Sequence, residues 1–598
     1  MTNVNDYSPI IENITAEIKK GMENNNIPGL TIALVSSKGI IWSEVFGFTD
    51  QSEEQKVNKE TLFCIQSSTK TFTAVALLSA VQQGLVKLDD PIIDYYSEFS
   101  LKSRFGEQEI SKITFRHLLA HHSGLQCFMP VGGVFDDRDY TFKEHVESLN
   151  DCWLISPPGE KYYYSNIGMD LVAYLLEKIT GNNYPDYLRE VIKQPLGMKR
   201  LACGSIEARQ HENLAIGTLG KRECKFNIAL AYGCGGIYLG VEDFAKFVQF
   251  LLNNGKVDGK QVLNANLIEQ MHTTQYDAPI GQTYGLGVII HESSSPRIFE
   301  HPGGGFGYNA AMRWILDEDI GIVVQTNQEY QEFTNQVAEK ALNLILDKKG
   351  IELTKMTIEE FISSPKSPVE PKLLRRVEGF YSGASGDAII TLEDDILYFI
   401  HWSGKYKLTP HNPTEFTAEY PPALKIEFNP KDNNQPSHLL MLTKELTPIK
   451  LDFDYRPLED DTFGPNRPEW QQYVGLYRHF FYGKEIGHFA ITIKNGYLYA
   501  HTASIQRLTE YEPNIFFAQN GMSVIFKADE TIIYGIPHFK IDDPVSEIKA
   551  MIEKNRNNQL LDSWVLDKLI SLLKYLERKD EAMQVEEIKN ELYSKTKD

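Results

Sequence analysis

The stretch Phe63-Cys-Ile-Gln-Ser67-Ser-Thr-Lys70-Thr-Phe-Thr-Ala-Val-Ala-Leu-Leu78 constrains this chain more than any other, because it reads as a short apolar entry into a helix that opens with a serine. One helical turn separates Ser67 from Lys70, so the hydroxyl and the amine leave the same face within hydrogen-bonding reach. The start of a helix also carries unpaired backbone N–H groups and the positive end of the macrodipole, both suited to a developing oxyanion. The plain alternative is an N-cap serine followed by an unrelated lysine. Partners elsewhere in the chain must decide.

At 598 residues the chain is too long for one hydrophobic core and predicts several domains. Sixty basic against 81 acidic side chains give a formal charge of −21, which argues against nucleic-acid or anionic-membrane partners. A small-molecule or short-peptide substrate fits better. The first residues hold no basic segment followed by an apolar core, and no apolar run reaches the length of a spanning helix, so the expectation is a soluble, cytoplasmic protein with no membrane role. The six cysteines, at 64, 127, 152, 203, 224 and 234, form no CxxC pair and read as isolated thiols in a reducing compartment.

In chain order, Ile10, Ile11, Ile14, Ile18 and Met22 mark an amphipathic helix over 8–24, and two β-rich runs from Gly29 to Gly47 turn around Ser37-Lys-Gly39. Gly84 and Asp89-Asp-Pro91 close the Ser67 helix. His117 and His121 stand at i, i+4, but no acidic residue accompanies them at zincin spacing, so a packed helix end is the better reading than a metal site. Tyr164 and Asn166, in Pro157-Pro-Gly-Glu-Lys-Tyr-Tyr-Tyr164-Ser-Asn166, lie two apart in an extended loop and so point the same way. The glycine-rich turn at 232–240 lacks phosphate-binding spacing and reads as packing before a helix that ends at Asn-Gly255. In Phe299-Glu-His301-Pro-Gly303-Gly304-Gly, clustered glycines let backbone approach a ligand, with His301 at their entrance. Strands and a helix over about 331–347 complete this half.

Taken together, S-x-x-K at 67–70, Y-x-N at 164–166 and H-x-G at 301–303, with Leu118-Leu-Ala-His-His-Ser-Gly-Leu125 between them, resemble the serine β-lactamase and penicillin-binding-protein superfamily in its class-C-like branch. The resemblance covers roughly residues 8–347. It implies an α/β (α+β) hydrolase domain, in which a helical region packs on a mostly antiparallel five-stranded sheet with helices on both faces. It implies Ser67 as the acylated nucleophile, with Lys70 and Tyr164 as its proton-transfer partners and His301 in the same catalytic set. Asn166, Gly303 and Gly304 would bind substrate, and the N–H groups of Ser67 and Gly304 would form the oxyanion hole. No metal and no cofactor is implied. Free lysine and tyrosine both titrate near 10, so one must be shifted to act at neutral pH, and the sequence leaves open which is the base. Where β-lactamases of this kind begin the third motif with lysine, this chain has His301, so recognition of a substrate carboxylate should be weaker. By resemblance, histidine here points to D-aminopeptidases, D-amino-acid amidases and esterases, with a substrate that can contain a D-amino acid. Gln66 stands where the family often has glycine.

Beyond a proline-rich break at 363–371 the chain repeats itself. Gly379-Phe-Tyr381 answers Gly475-Leu-Tyr477, and Ile390-Thr-Leu-Glu-Asp-Asp-Ile-Leu-Tyr398 answers Ile491-Thr-Ile-Lys-Asn-Gly-Tyr-Leu-Tyr499. The expected layout is a hydrolase domain over 1–350, a linker over 351–371, two small antiparallel β-barrel or lipocalin-like domains over 372–458 and 468–543, and a helical tail over 544–598. The stretch Arg478–Gly487 is a candidate loop for capping the cleft; spacers or contacts in a homo-oligomer are the alternative role for the barrels. The function expected is a serine hydrolase of the D-aminopeptidase-like peptidase, amidase or esterase kind. The alternatives are a β-lactamase or DD-carboxypeptidase, and a non-catalytic scaffold or ligand sensor on the same fold.

Overall fold

The structure is a computed structural model that describes residues 7–594 apart from 133–138, 221, 225–230, 277–281, 293, 330, 355–357, 363, 384–385, 402–403, 420–422, 430–431, 443–448, 456–463, 466, 482–483, 502–504, 519–520, 529, 534 and 555–562. Helix α1 (Ser8–Asn24) leads into a hairpin of β1 (Gly29–Ser36) and β2 (Gly39–Gly47). Its partners come from far along the chain. Strands β4 (Tyr308–Ile315) and β5 (Ile320–Thr326) pair antiparallel, and β5 lies beside β1. The short β3 (Gly303–Gly305) pairs with β4.

All eight residues of β1 are buried because helices cover both faces of this sheet. The pleat sorts the side chains. Leu30, Ile32 and Leu34 pack with α1 and with α7 (Gln331–Lys348), while Ala33 and Val35 face the larger core shared with α2 (Thr69–Gln82) and α6 (Val241–Leu252). The sheet has eight strands among the described residues, not the five expected. Three-residue strands at Gln282–Tyr284, Ile289–His291 and Ile298–Glu300 extend one edge, and segments that short carry no alternation to read in the sequence.

Helix α2 is buried from Thr69 through Ala80, covered on every side, with its polar side chains Lys70, Thr71 and Thr73 satisfied by internal hydrogen bonds. Around it stand α3 (Phe115–Leu119), α4 (Phe142–Glu147) and α5 (Asn166–Thr180). The latter ends on Gly181 in the left-handed conformation, which glycine adopts without strain.

In the second half, residues 379–455 form a nine-stranded antiparallel sheet whose two edge strands, Gly404–Lys407 and Thr409–Pro410, are separated by Leu408 alone. The sheet thus curls until its edges meet, but no ladder between them closes a barrel among the described residues. Residues 475–541 do form a closed eight-stranded barrel. The repeat is visible in detail. Asp394-Asp395 and Asn495-Gly496 form matching hairpin turns with positive φ, and the Tyr381 and Tyr477 hydroxyls each donate to the carbonyl four residues back, at 2.7 Å. The tail helix α8 (Ser563–Tyr575) packs Val565, Leu566 and Leu569 on Leu476, Ala490 and Ile541, so its apolar stripe covers its own barrel.

The barrel also touches the first half. Phe517, Ile525 and Ile532 surround Trp153, Lys527 pairs with Asp151 at 2.8 Å, and a Cβ on Gly535 would stand 2.3 Å from the Phe128 carbonyl. Within the Arg478–Gly487 stretch, Arg478 pairs with Glu547 and the His479 ring packs edge-on to His538. Tyr482 and Gly483 lie outside the described residues.

Burial holds the barrel histidines neutral, His488 down to about 3 and His479 and His501 down to about 4. In the unfolded chain each would take a proton near 6.5, so the stability they permit is whole above that pH and is lost as the pH falls toward the folded value, at about 1.4 kcal/mol per pH unit for each ring. Calorimetry of the full chain should therefore show a lower transition at pH 5 than at pH 7, with a smaller drop in His488→Asn. An equal drop in both proteins would remove His488 from this account.

Candidate active site

Ser67 lies in a single 3₁₀ turn, Gln66–Ser68, that runs directly into α2. The preceding Gln66 is buried at φ 48°, a left-handed conformation in which a side chain is strained. Glycine would sit there freely, which gives the sequence departure at this position a physical meaning. Strand β3 presses on the same turn: a Cβ on Gly303 would stand 2.1 Å from the Ile65 carbonyl, so only glycine lets the strand approach. The Ser68 hydroxyl donates to the His301 carbonyl at 2.6 Å and ties the turn to the entrance of β3.

The Lys70 side chain is wholly buried. Its Nζ lies 3.0 Å from Ser67 Oγ and 2.8 Å from the Cys234 carbonyl, to which it donates. Burial depresses its proton affinity, with the Cys234 and Cys127 thiols and the Asp170 carboxylate acting the other way. Tyr164 reaches the Ser67 hydroxyl with its own, and its ring centroid lies 4.9 Å from Lys70 Nζ. The same burial raises the phenol well above its ordinary value. Local geometry explains the Tyr-x-Asn spacing. Ser165 is the extended N-cap of α5, its hydroxyl accepting from Gly168 N–H and donating to the Gln126 carbonyl, so Tyr164 and Asn166 turn to the other side. Asn166 donates to Cys127 Sγ at 3.4 Å.

A cavity of about 220 Å³ opens on Ser67. Asn166, Gly304, Cys64, Cys127, Met129 and Cys234 are among its walls, and no lysine or arginine stands among its described lining residues.

His301 is brought near but turned aside. Its ring is buried, 6.5 Å from that of Tyr164 between centroids, and both nitrogens are engaged. Nδ1 faces the Pro302 carbonyl at 3.0 Å, so it donates, and Nε2 accepts from the Tyr284 hydroxyl at 2.8 Å. The same hydroxyl accepts from His121 Nε2 at 3.2 Å, because His121 Nδ1 takes the Ser165 N–H. Both imidazoles are neutral in this arrangement, and burial holds His301 down to about 3 and His121 well below its usual value. The structure thus brings Ser67, Asn166 and Gly304 to one cavity, with Lys70 and Tyr164 against the Ser67 hydroxyl, while Gly303 packs on the Ile65 carbonyl and His301 is turned toward Tyr284.

His117 and His121 are engaged with different partners, the former with Thr114 and the latter with Tyr284 and Ser165. His117 completes a capping box with Thr114, and no cluster of metal-binding side chains occurs among the described residues. Tyr284, Cys234, Asp170 and His145 carried no signal in the sequence; only the fold sets them beside the motif residues.

The fold and site define the class, that of serine β-lactamase and penicillin-binding-protein-like hydrolases. The family model described as Beta-lactamase matches residues 14–347, more than half of the chain, and the chain belongs to that family. It is similar to "Beta-lactamase-like protein 2" of Dictyostelium discoideum, 25% identical over 72% of this chain and 82% of that one. It is also similar to "D-alanyl-D-alanine-carboxypeptidase/endopeptidase AmpH" of Escherichia coli, 27% identical over 48% of this chain and 77% of the other. Among solved structures, the octameric penicillin-binding protein homologue from Pyrococcus abyssi superimposes with a TM-score of 0.51 at 22% identity, covering 83% of this chain and 99% of that one.

Replacing Tyr284 by Phe should leave His121 and His301 each with a buried nitrogen lacking its partner and destabilise the protein by about 1–3 kcal/mol. Thermal unfolding of Tyr284→Phe checks this, and an unchanged transition would show that the hydroxyl bridge is dispensable.

Proposed function

We propose that this protein is a serine hydrolase that forms an acyl-enzyme at Ser67 on amide or ester bonds, of the D-aminopeptidase-like peptidase or amidase kind or an esterase. The observation that carries the reading is the buried Lys70 amine 3.0 Å from the Ser67 hydroxyl. A serine needs a base to become a nucleophile, and burial favours a neutral amine while it disfavours a phenolate. Lys70 is therefore the base in this reading, and Tyr164 is the phenol that passes a proton.

The steps follow from these positions. The Ser67 proton moves to Lys70 Nζ as Oγ attacks the carbonyl carbon, and the oxyanion is held by the N–H groups of Ser67 and Gly304. The leaving amine or alkoxide departs with a proton relayed through Tyr164. Water then attacks the ester formed on Ser67 and gives its proton back along the same route. Asn166 orients the substrate.

The substrate class follows from the cavity. Its lining is rich in sulfur and apolar groups, and His301 is buried and neutral, so an uncharged acyl group is the better fit than an anchored carboxylate. This supports the peptidase, amidase or esterase reading over a β-lactamase. The named activity of the AmpH relative favours a carboxypeptidase as the second reading. A scaffold or sensor has no physical need to keep Ser67, Lys70 and Tyr164 in contact. The six cysteines are free, as a reducing, cytoplasmic setting would keep them, and no helix among the described residues is long and apolar enough to cross a membrane. An assembly of like chains is compatible with the octameric structural neighbour.

A fluorophosphonate probe should place its adduct on Ser67 by peptide mass mapping and fail on Ser67→Ala. Its rate should rise with pH through an ionisation below lysine's ordinary 10.5, because the base acts only once it is neutral, and Lys70→Met should lose that limb together with most of the rate. An adduct elsewhere, or a Lys70→Met profile like the unaltered one, would sink the reading. Comparing D- and L-amino-acid p-nitroanilides with p-nitrophenyl esters then separates peptidase from esterase.

A further inference from the structure

Behind Lys70 lies a buried pair that the proposed reaction does not use. His145 of α4 and Asp170 of α5 are 5% and 2% exposed, and both line the floor of the Ser67 cavity. His145 Nδ1 stands 2.6 Å from the Val131 carbonyl, so it donates. Its Nε2 stands 3.3 Å from Asp170 Oδ2. The other carboxylate oxygen, Oδ1, accepts two backbone N–H groups, from Gly233 at 2.8 Å and from Cys234 at 3.1 Å. The next atom group along that backbone is the Cys234 carbonyl that takes one proton of Lys70.

Hydrogen-bond accounting fixes the charge of the pair. Two acceptors would meet between Nε2 and Oδ2 unless one proton lies between them. Whichever atom carries it, His145 and Asp170 together then bear no net charge. An isolated carboxylate at this place would favour the ammonium form of Lys70, the form that cannot act as a base. Paired with His145 it keeps its two backbone anchors, and the proton shared with the ring offsets part of that effect. The other ionisable groups facing the pair are Cys203, Tyr184 and Cys234, which feel the Asp170 charge, and Tyr140, whose ring lies 5.6 Å from that of His145.

We propose that Asp170 is a positioning residue: with His145 as its neutralising partner, its carboxylate fixes the Gly233–Cys234 backbone so that the Cys234 carbonyl pins Lys70 Nζ with its lone pair on Ser67. The inference rests on the reading of Lys70 as the base. Thr73 supports the same turn from α2, donating to the Gly233 carbonyl at 2.7 Å, so the backbone is held at both peptide groups. Asp170 touches no reacting atom, and its effect passes entirely through the main chain.

The test is the saturating rate and the half-saturating concentration for fluorophosphonate labelling of Ser67 in the full chain, across pH. Asp170→Asn keeps two acceptor bonds at Oδ1 and offers its NH₂ to a neutral His145, so it should label at close to the unaltered maximal rate. Asp170→Ala loses the anchors and should lose on the order of a hundredfold in maximal rate, with probe affinity unchanged. His145→Gln leaves the carboxylate without its partner proton, so the ionisation that limits labelling should move to higher pH while the plateau stays. If Asp170→Asn falls as far as Asp170→Ala, the carboxylate acts by charge and the positioning account is overturned. It is equally overturned if Asp170→Ala labels normally, or if His145→Gln leaves the profile in place. Circular dichroism identifies an unfolded Asp170→Ala, in which case the Asn and Gln variants decide. No adduct on Ser67 in the unaltered chain overturns both this inference and the hydrolase reading, whereas an adduct whose rate ignores these substitutions overturns only this one.

Discussion

A single burial governs the first half of this protein, that of the Lys70 amine. An ammonium group withdrawn from water is costly, so burial lowers the proton affinity of the amine that stands 3.0 Å from the Ser67 hydroxyl. The same dryness keeps Tyr164 a phenol and keeps His121 and His301 uncharged. Tyr164, His121 and His301 are therefore neutral groups held in place by directed hydrogen bonds. In such a medium a small displacement of one donor matters, because a buried polar group that loses its partner is costly.

That burial is made by the architecture around α2. A helix with no solvent-exposed face can exist only where other elements enclose it, and here the helical layer and the two-faced sheet do so together. Ser67 is brought to the edge of this core by a turn in which Gln66 is left-handed and Gly303 admits a strand against Ile65. Strain and close backbone approach occur at the same point, and both serve to expose Ser67 while Ser68 and Lys70 stay covered. The replacement of a lysine by His301 follows the same logic. A ring that is neutral can be built into the wall through Tyr284, where a lysine would have needed solvent or a substrate anion.

The second half repeats one idea with two outcomes. Both copies use a Gly-x-Tyr strand whose tyrosine bonds back to the preceding turn, and both reverse at a two-residue turn with positive φ. One copy closes its ladder and the other brings its edges together across Leu408 without pairing them among the described residues. The closed barrel is sheathed by α8 on one side and meets Trp153, Gln126 and Phe128 on the other, so it abuts the segment that forms one wall of the Ser67 cavity.

What the sequence determined by itself was whatever is written in local spacing. Periodicity placed α1 and the strands of the first hairpin, self-similarity set Gly379-Phe-Tyr381 against Gly475-Leu-Tyr477, and three short motifs picked out Ser67, Lys70, Tyr164 and Asn166. What only the tertiary structure decided were contacts between distant residues whose local context is silent. Lys70 and the Cys234 carbonyl are 164 positions apart, and a backbone acceptor has no residue type to recognise. The glycine-rich turn read as packing supplies that acceptor. The orientation of His301, the bridging role of Tyr284 and the pairing of His145 with Asp170 depend on which face of each element is enclosed, and enclosure is a property of the assembled core rather than of any stretch of chain.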